Sequence, residues 1–251
     1  MGRSIVLMYH DIVRRDCSES GFQNPTAMKY KVKADEFERQ VAAIARYLKA
    51  KKMSTEAVEF TFDDGGVTFL TEAAPILERY GFRGKFFIAT SRIDTEGFLS
   101  KKQIIELRDR GHIVGAHSHT HPDRMTVLSQ QQLEEEWCRS TDILAYILGE
   151  KPTCASIPNG YSSADVIRAM ALAGITDIYT SEPTTHCKTR GNTIVKGRYA
   201  VTDTDTVETV MRLVDSRLTR IYKAARFNCL ALAKSLLGES YLRIRESLLK
   251  K

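Results

Sequence analysis

Two clusters of side chains in the sequence have the types and spacing to do chemistry. Asp63 and Asp64 are adjacent and run into Gly65 and Gly66, while His117, His119 and His121 place three of the chain's six histidines within five residues. Two carboxylates sharing a cleft raise one another's pKa unless a cation lies nearby. Imidazole nitrogens beside a carboxylate oxygen are donors that hold zinc and related divalent ions. Together the clusters point to a metal centre with a carboxylate to spare, the equipment for activating water. Spacing alone leaves open which two of the three histidines bind. The bland alternatives are an Asp-Asp-Gly-Gly surface turn and a solvated histidine-rich turn.

The elements that must position these residues are legible around them. Val58, Phe60 and Phe62 alternate with Glu59 and Thr61, the period of a strand, and the glycines after the acids permit a sharp turn. Gly111 to Ala116 is a second short strand, leading into the histidines. Ile5 to Tyr9 is a third, followed at once by His10 and Asp11. Between such strands lie helical patterns. Phe37, Val41, Ile44, Ala45 and Leu48 recur at helical spacing after Asp35; Leu70 to Tyr80 stops at Gly81; Ser100 and Ser129 open helices that reach Arg110 and Leu148. Trp137, on the last of these, is expected in the core. Lys85–Ala89, Cys154–Ile157, Thr176–Thr180 and Ile194–Val201 complete the strands, with helices over 162–173 and 203–218. Arg14 to Val32 reads as a long loop whose Phe22 and Tyr30 offer a stacking face for a sugar.

Thr61-Phe62-Asp63-Asp64-Gly65, followed by His117-Ser118 and then His121, resembles the NodB-homology polysaccharide deacetylases, carbohydrate esterase family four. The resemblance is strongest from Val58 to Tyr161. It implies an α/β fold, a distorted (β/α)7-type barrel with a C-terminal helical appendage. It also implies that Asp63 is the catalytic base and that Asp64, His117 and His121 hold a divalent metal, with His119 outside the ligand set. Pro158-Asn159-Gly160-Tyr161 falls at the family's third motif, which lends a backbone N–H to the oxyanion, so Asn159, Gly160 and Tyr161 are the substrate and oxyanion candidates. Ser156 stands where the family often has an arginine that tunes the base, which leaves that tuning without a residue. Arg198 stands where a histidine acid is expected, so His10 and His186 are the candidates for protonating the leaving amine.

Length and charge bound the rest. A chain of 251 residues suits one large domain, read as residues 1–216 with a motif core over about 56–200, followed by a basic amphipathic helical tail, 217–251, packed on or beside it. The net charge of +6 is spread among many acids, and no nucleic-acid motif accompanies it. Five scattered cysteines read as thiols of a reducing compartment. No apolar run approaches the roughly 20 residues of a membrane span, and no export signal is read at the N-terminus, so the expected location is cytoplasmic, peripheral to the inner face of the membrane if the tail touches lipid or a partner there.

The expected function is metal-dependent hydrolysis of an acetyl group, N-acetyl ahead of O-acetyl, on an acetylated sugar, glycoside or lipid-linked glycan intermediate. One divalent ion, zinc by preference, would acidify the water and polarise the carbonyl, and Asp63 would take the proton. The alternatives are an amidohydrolase acting on a non-sugar N-acyl substrate and a non-catalytic binding module of the same fold.

Overall fold

The structure, a computed structural model, describes residues 4–237, with side chains as far as Leu230. Met1 to Arg3 and the end of the tail, including the helix break expected at Gly238, lie outside the described residues. The strands are β1 (Ile5–Tyr9), β2 (Ile12–Val13), β3 (Val32–Lys33), β4 (Val58–Phe62), β5 (Gly84–Ile88), β6 (Ile113–Ala116), β7 (Cys154–Ser156), β8 (Asp177–Tyr179), β9 (Lys188–Arg190), β10 (Thr193–Lys196) and β11 (Tyr199–Ala200). The helices are α1 (Pro25–Met28), α2 (Ala34–Ala50), α3 (Ala74–Arg79), α4 (Lys101–Asp109), α5 (Gln130–Leu148), α6 (Ala164–Leu172), α7 (Val207–Asp215) and α8 (Arg217–Leu237).

Nine of the strands form one curled sheet in the order β11-β1-β4-β5-β6-β7-β8-β10-β9, parallel throughout except for β9. The run Thr193–Ala200 pairs with β8 through β10 and with β1 through β11, so a single stretch of chain meets both sides of the curl. This is the barrel-like α/β architecture that strand-helix alternation implies. The seam of the run is Gly197-Arg198.

Strand alternation sorts the side chains into two packed faces. Tyr9, Phe60, Phe62 and Phe86 point outward and form, with Phe37 of α2 and Phe69, an aromatic cluster with centroid spacings of 4.9–6.3 Å. Trp137 of α5 is fully buried in the same core. The inner face is filled in layers. Nearest the strand N-termini, Glu59 pairs with Lys85 and accepts from the Tyr179 hydroxyl at 3.0 Å. Val6, Phe87, Cys154 and Tyr179 form an apolar cluster on the same face. The upper layer, at the carboxyl ends, is the polar one that carries Asp63.

The segment read as a loop over 14–32 holds the short helix α1, and its flanks pair as β2 and β3 in a small parallel sheet. A buried polar knot ties it to the turn after β4. Ser20 donates to Asp11 Oδ1 at 2.6 Å, Thr68 donates to the same oxygen at 3.3 Å, and Lys31 Nζ lies 3.9 Å from Asp11 Oδ2 while donating to the Cys17 carbonyl at 2.6 Å. Burial pushes the Asp11 carboxyl up to about 6, against the pull of the Ser20 bond and the Lys31 charge. The expected helix over 203–218 is broken at Ser216, whose extended backbone separates α7 from α8. In the tail, Phe227 of α8 lines the cleft and Arg220 donates to the carbonyls of Leu213 and Val214, while Leu218, Ile221 and Tyr222 are 78%, 53% and 65% exposed.

Gly66 passes so close to the knot that a Cβ there would overlap the Asp11 carboxylate and the Ser20 hydroxyl. Gly66→Ala is expected to cost about 1–3 kcal/mol by overpacking and to make the 14–31 segment susceptible to limited proteolysis. Urea unfolding and a protease time course check both; an unchanged midpoint with unchanged cleavage would mean that the knot does not hold the segment down.

Candidate active site

The two acids reach one cleft because the chain leaves its strand geometry at Asp64. Asp63 still points to the inner face with Glu59 and Thr61. Asp64 then adopts φ 87°, a left-handed conformation costly for a residue with a side chain, and Gly65 continues it at φ 96°. The reversal brings the second carboxylate to the same side as the first.

The histidines are held by α5. Glu136 accepts from the backbone N–H groups of His119 and Thr120, both at 2.9 Å, and from the Thr120 hydroxyl at 2.7 Å. Ser140 donates to the Ser118 carbonyl at 2.9 Å, and Ser118 Oγ accepts from the His121 N–H at 3.2 Å. Ser118 and His121 both have φ 59°, so the loop doubles back on itself. His117 and His121 thereby face Asp64, their Nε2 atoms 3.3 and 3.2 Å from its Oδ1. His119 turns away, with Nδ1 2.9 Å from the Thr90 hydroxyl.

Among the described residues, Asp64, His117 and His121 are the group whose ligand atoms gather, all within 4.8 Å of one another. The donor chemistry fits a cation. His117 Nδ1 lies 2.9 Å from the Ser156 carbonyl, which can only accept. That bond suits the tautomer with its proton on Nδ1, in which Nε2 would offer a lone pair to a cation shared with the carboxylate oxygen. Two acceptors facing each other inside a protein need a positive charge between them. Burial works against ionising Asp64, but hydrogen bonds to His117 and His121 hold its pKa well below the usual carboxylate range. Burial lowers His121, and its bond to Asp64 more than offsets this, so its pKa is raised.

The remaining sequence-stretch candidates divide. His10 lines the cleft with Asp63, Asp64, His117, His121 and Asn159, an opening of 850 Å³. Its ring lies 4.5 Å from that of Tyr30, and its Nδ1 is buried without a partner. Burial lowers its pKa, partly countered by the charges of Asp64 and Asp63. Asn159 holds a left-handed turn at φ 54°. Gly160 donates its amide to the Ile157 carbonyl at 3.2 Å, and Tyr161 lies under the Arg124 guanidinium; neither residue lines the cleft. His186 sits in the exposed loop between β8 and β9, its N–H bonded to Thr184 Oγ1 at 3.0 Å, and is likewise absent from the cleft wall.

The family model described as polysaccharide deacetylase matches residues 50–178, just over half of the sequence. The chain belongs to this family. It is similar to the Bacillus subtilis protein YxkH, 27% identical over 133 residues that cover 53% of this chain and 47% of that one. A chitin deacetylase of Colletotrichum lindemuthianum is 32% identical over 79 residues, 31% of this chain and 32% of that protein. The chain thus spans about half the length, or less, of these curated relatives. The solved Streptococcus pyogenes deacetylase PplD, in complex with acetate, superposes with a TM-score of 0.66 at 20% identity, covering 85% of this chain and 99% of that one, a likeness of fold.

This polysaccharide deacetylase family member differs from the reading of its third motif, which left Asp63 without an arginine. Arg198, from the seam of the Thr193–Ala200 run, enters the barrel and clamps Asp63 with two parallel bonds, Nη1 to Oδ1 and Nη2 to Oδ2, each 2.7 Å. It is fully buried. Its Nη1 also donates to Thr61 Oγ1 at 3.2 Å and its Nε to the Thr180 carbonyl at 3.1 Å, and its guanidinium lies 5.8 Å from the centre of the Phe87 ring. Ser156, where the arginine was sought, instead donates to Asp63 Oδ1 at 2.9 Å and sits 2.6 Å from His117 Nδ1. The signal was present in sequence as an arginine inside a strand-like run, but the motif directed attention to another strand.

Burial would raise the Asp63 pKa; the Arg198 charge outweighs it and takes the pKa down to about 2. The unfolded value is about 3.9, so the stability the pair contributes is present above about pH 4 and is lost as pH falls through 2. Arg198→Met leaves the carboxylate buried and unpaired, with an expected cost of about 3–5 kcal/mol at neutral pH. Without its cation the Asp63 pKa is set by burial and rises, so the variant should gain stability relative to wild type on acidification from pH 7. Adding Asp63→Asn should recover part of the loss and remove the difference in slope. Urea unfolding across pH checks this, and parallel profiles for wild type and Arg198→Met would refute it.

Proposed function

We propose that the chain is a metal-dependent deacetylase that hydrolyses an acetyl group, N-acetyl ahead of O-acetyl, on a sugar or glycan. The observation that carries the reading is the convergence of Asp64, His117 and His121 beside an ionised, arginine-clamped Asp63. Membership of the polysaccharide deacetylase family and similarity to a chitin deacetylase support a sugar as substrate. Asp64, His117 and His121 would hold one divalent ion, and two imidazoles with one carboxylate suit zinc. When bound, the ion supplies Lewis acidity toward water and the acetyl carbonyl.

Asp63, ionised at any working pH, accepts the proton of the attacking water. Arg198 fixes the plane of its carboxylate, and Ser156 holds both Asp63 and the His117 ring. The backbone N–H of Asn159 is the donor proposed for the oxyanion. His10 is the candidate that protonates the departing amine: its Nδ1 is free of protein partners, and its lowered pKa makes a proton it receives easy to pass on. His186, exposed and off the cleft wall, is the weaker candidate. Phe22, Tyr30 and Phe227 line the same cleft and offer faces for a sugar ring. The five unpaired cysteines suit a reducing compartment, so an acetylated sugar, glycoside or lipid-linked glycan met on the cytoplasmic side is the proposed substrate.

Elemental analysis should find about one divalent ion per wild-type chain and a large loss in His121→Ala and Asp64→Ala. Asp63→Asn should keep the ion while acetate release from N-acetylated chito-oligosaccharides falls by about 10²–10⁴. Equal metal content in all variants would remove the proposed centre. Acetate released from simple N-acetyl amines and not from sugars would move the substrate to the non-sugar class.

A further inference from the structure

Helix α8 places its most apolar face where none of the described residues covers it. Leu218, Ile221 and Tyr222, at 78%, 53% and 65% exposure, share one side at the i, i+3, i+4 spacing, and exposed Ala225 and Cys229 continue the line. The other side is the anchored one. Arg220 donates to the carbonyls of Leu213 and Val214 at 2.6 and 3.0 Å, Lys223 and Ala224 are half-buried, and Phe227 lines the cleft. An amphipathic helix normally turns its apolar stripe inward. Here the orientation is reversed.

The charge on the helix identifies what would cover that stripe. From Arg217 to Leu237 there are five Lys or Arg residues and no Asp or Glu, in a chain where acids are otherwise plentiful. Exposed Arg217 and Arg226 flank the stripe, which has an aromatic with a polar tip, Tyr222, at its middle. Apolar side chains bordered by bases of one sign match a layer of anionic headgroups over acyl chains. None of the described helices is long and apolar enough to cross a membrane.

We propose that α8 docks the protein on an anionic lipid bilayer, lying in the interface with Leu218, Ile221 and Tyr222 inserted and Arg217 and Arg226 among the headgroups. Because Phe227 borders the cleft from the opposite side of the helix, docking holds the cleft within about one helix diameter, 10–12 Å, of the headgroups. Resting on the deacetylase reading above, this favours a glycan carried at a lipid surface over a freely soluble one.

The test is co-sedimentation of the full chain with vesicles of phosphatidylcholine alone or mixed with phosphatidylglycerol, at low and high salt. Binding is expected to need the anionic lipid, to weaken with salt, and to fall by about fivefold for each basic residue near the surface that is removed. Leu218→Ser, Ile221→Ser and Tyr222→Ser combined should reduce it at least tenfold while leaving the melting temperature and acetate release from a soluble substrate unchanged. Wild type that stays in solution with anionic vesicles, or a triple variant that binds as wild type does, overturns the proposal. So does a dimer in sedimentation velocity that the triple variant loses, which would assign the stripe to a second copy. Acetate release measured on the same samples without vesicles reports on the deacetylase reading separately, so failure of either is recognisable.

Discussion

Two adjacent carboxylates buried at the end of one strand set the terms for the rest of the site. Asp63 and Asp64 are 3% and 6% exposed, and neither can be ionised there without its own source of positive charge. The fold supplies different sources. Asp63 receives a fixed cation, Arg198, in the bidentate geometry that a guanidinium and a carboxylate share. Asp64 receives two imidazoles, whose charge is adjustable and whose lone pairs remain available. The pair is thus divided into an acid that belongs to the protein interior and one that belongs to the cleft. Had both been clamped by arginine, no ligand position would remain; had neither been, one would hold a proton.

Supporting Arg198 in turn constrains the barrel. A fully buried guanidinium needs its remaining N–H groups satisfied, and Thr61 and the Thr180 carbonyl do this from opposite sides of the lumen. The Thr61 hydroxyl in turn donates to the Leu7 carbonyl at 2.8 Å, tying β4 to β1. Below, Phe87 gives the cation an aromatic face. The closure of the sheet and the ionisation of Asp63 are therefore one problem, because the arginine arrives on the run of chain that meets both β8 and β1. On the far side of the turn a third acid, Asp11, is the counterweight. Its knot with Ser20, Thr68 and Lys31 fixes the segment that carries Phe22 and Tyr30, so the same turn is held from inside by Arg198 and from outside by Asp11.

What was legible in the sequence follows from how local each signal is. Strand alternation around Phe60 and Phe62, serine caps at Ser100 and Ser129, and the spacing that buries Trp137 are written within a few residues, and the observed elements match them closely. The Asp pair and the histidine loop were legible as chemistry for the same reason. Choosing His117 and His121 over His119 was not legible from spacing and came from the family resemblance alone, since the geometry depends on left-handed turns at Ser118 and His121 and on a contact with Thr90. Arg198 was missed because its partner lies 135 residues away, and only the closed curl of the sheet brings them together. The Asp11 knot and the break at Ser216 were missed likewise: the first is assembled from three segments, and the second interrupts a pattern whose apolar period runs straight through it. The outward stripe of α8 shows the limit of periodicity, which identifies an apolar face without saying what it meets.

The clamp on Asp63 has a chemical consequence beyond stability. A carboxylate whose pKa is drawn down to about 2 is always available as a base but is a weak one, so it cannot by itself deprotonate ordinary water. Such a base is useful only beside something that makes the water far more acidic, and the lone pairs of Asp64, His117 and His121 converge at the position where a cation would do so. Across the cleft, burial lowers the His10 pKa as well, against the pull of the Asp64 and Asp63 charges, so this ring would have to take up a proton before it could give one. Here a single hydroxyl links Asp63 to the histidine cluster, since Ser156 touches both Asp63 and His117. That is a physical reason for a serine at the position where the family's arginine was sought: with the cation delivered from Arg198, a small donor there can serve Asp63 and the His117 imidazole together.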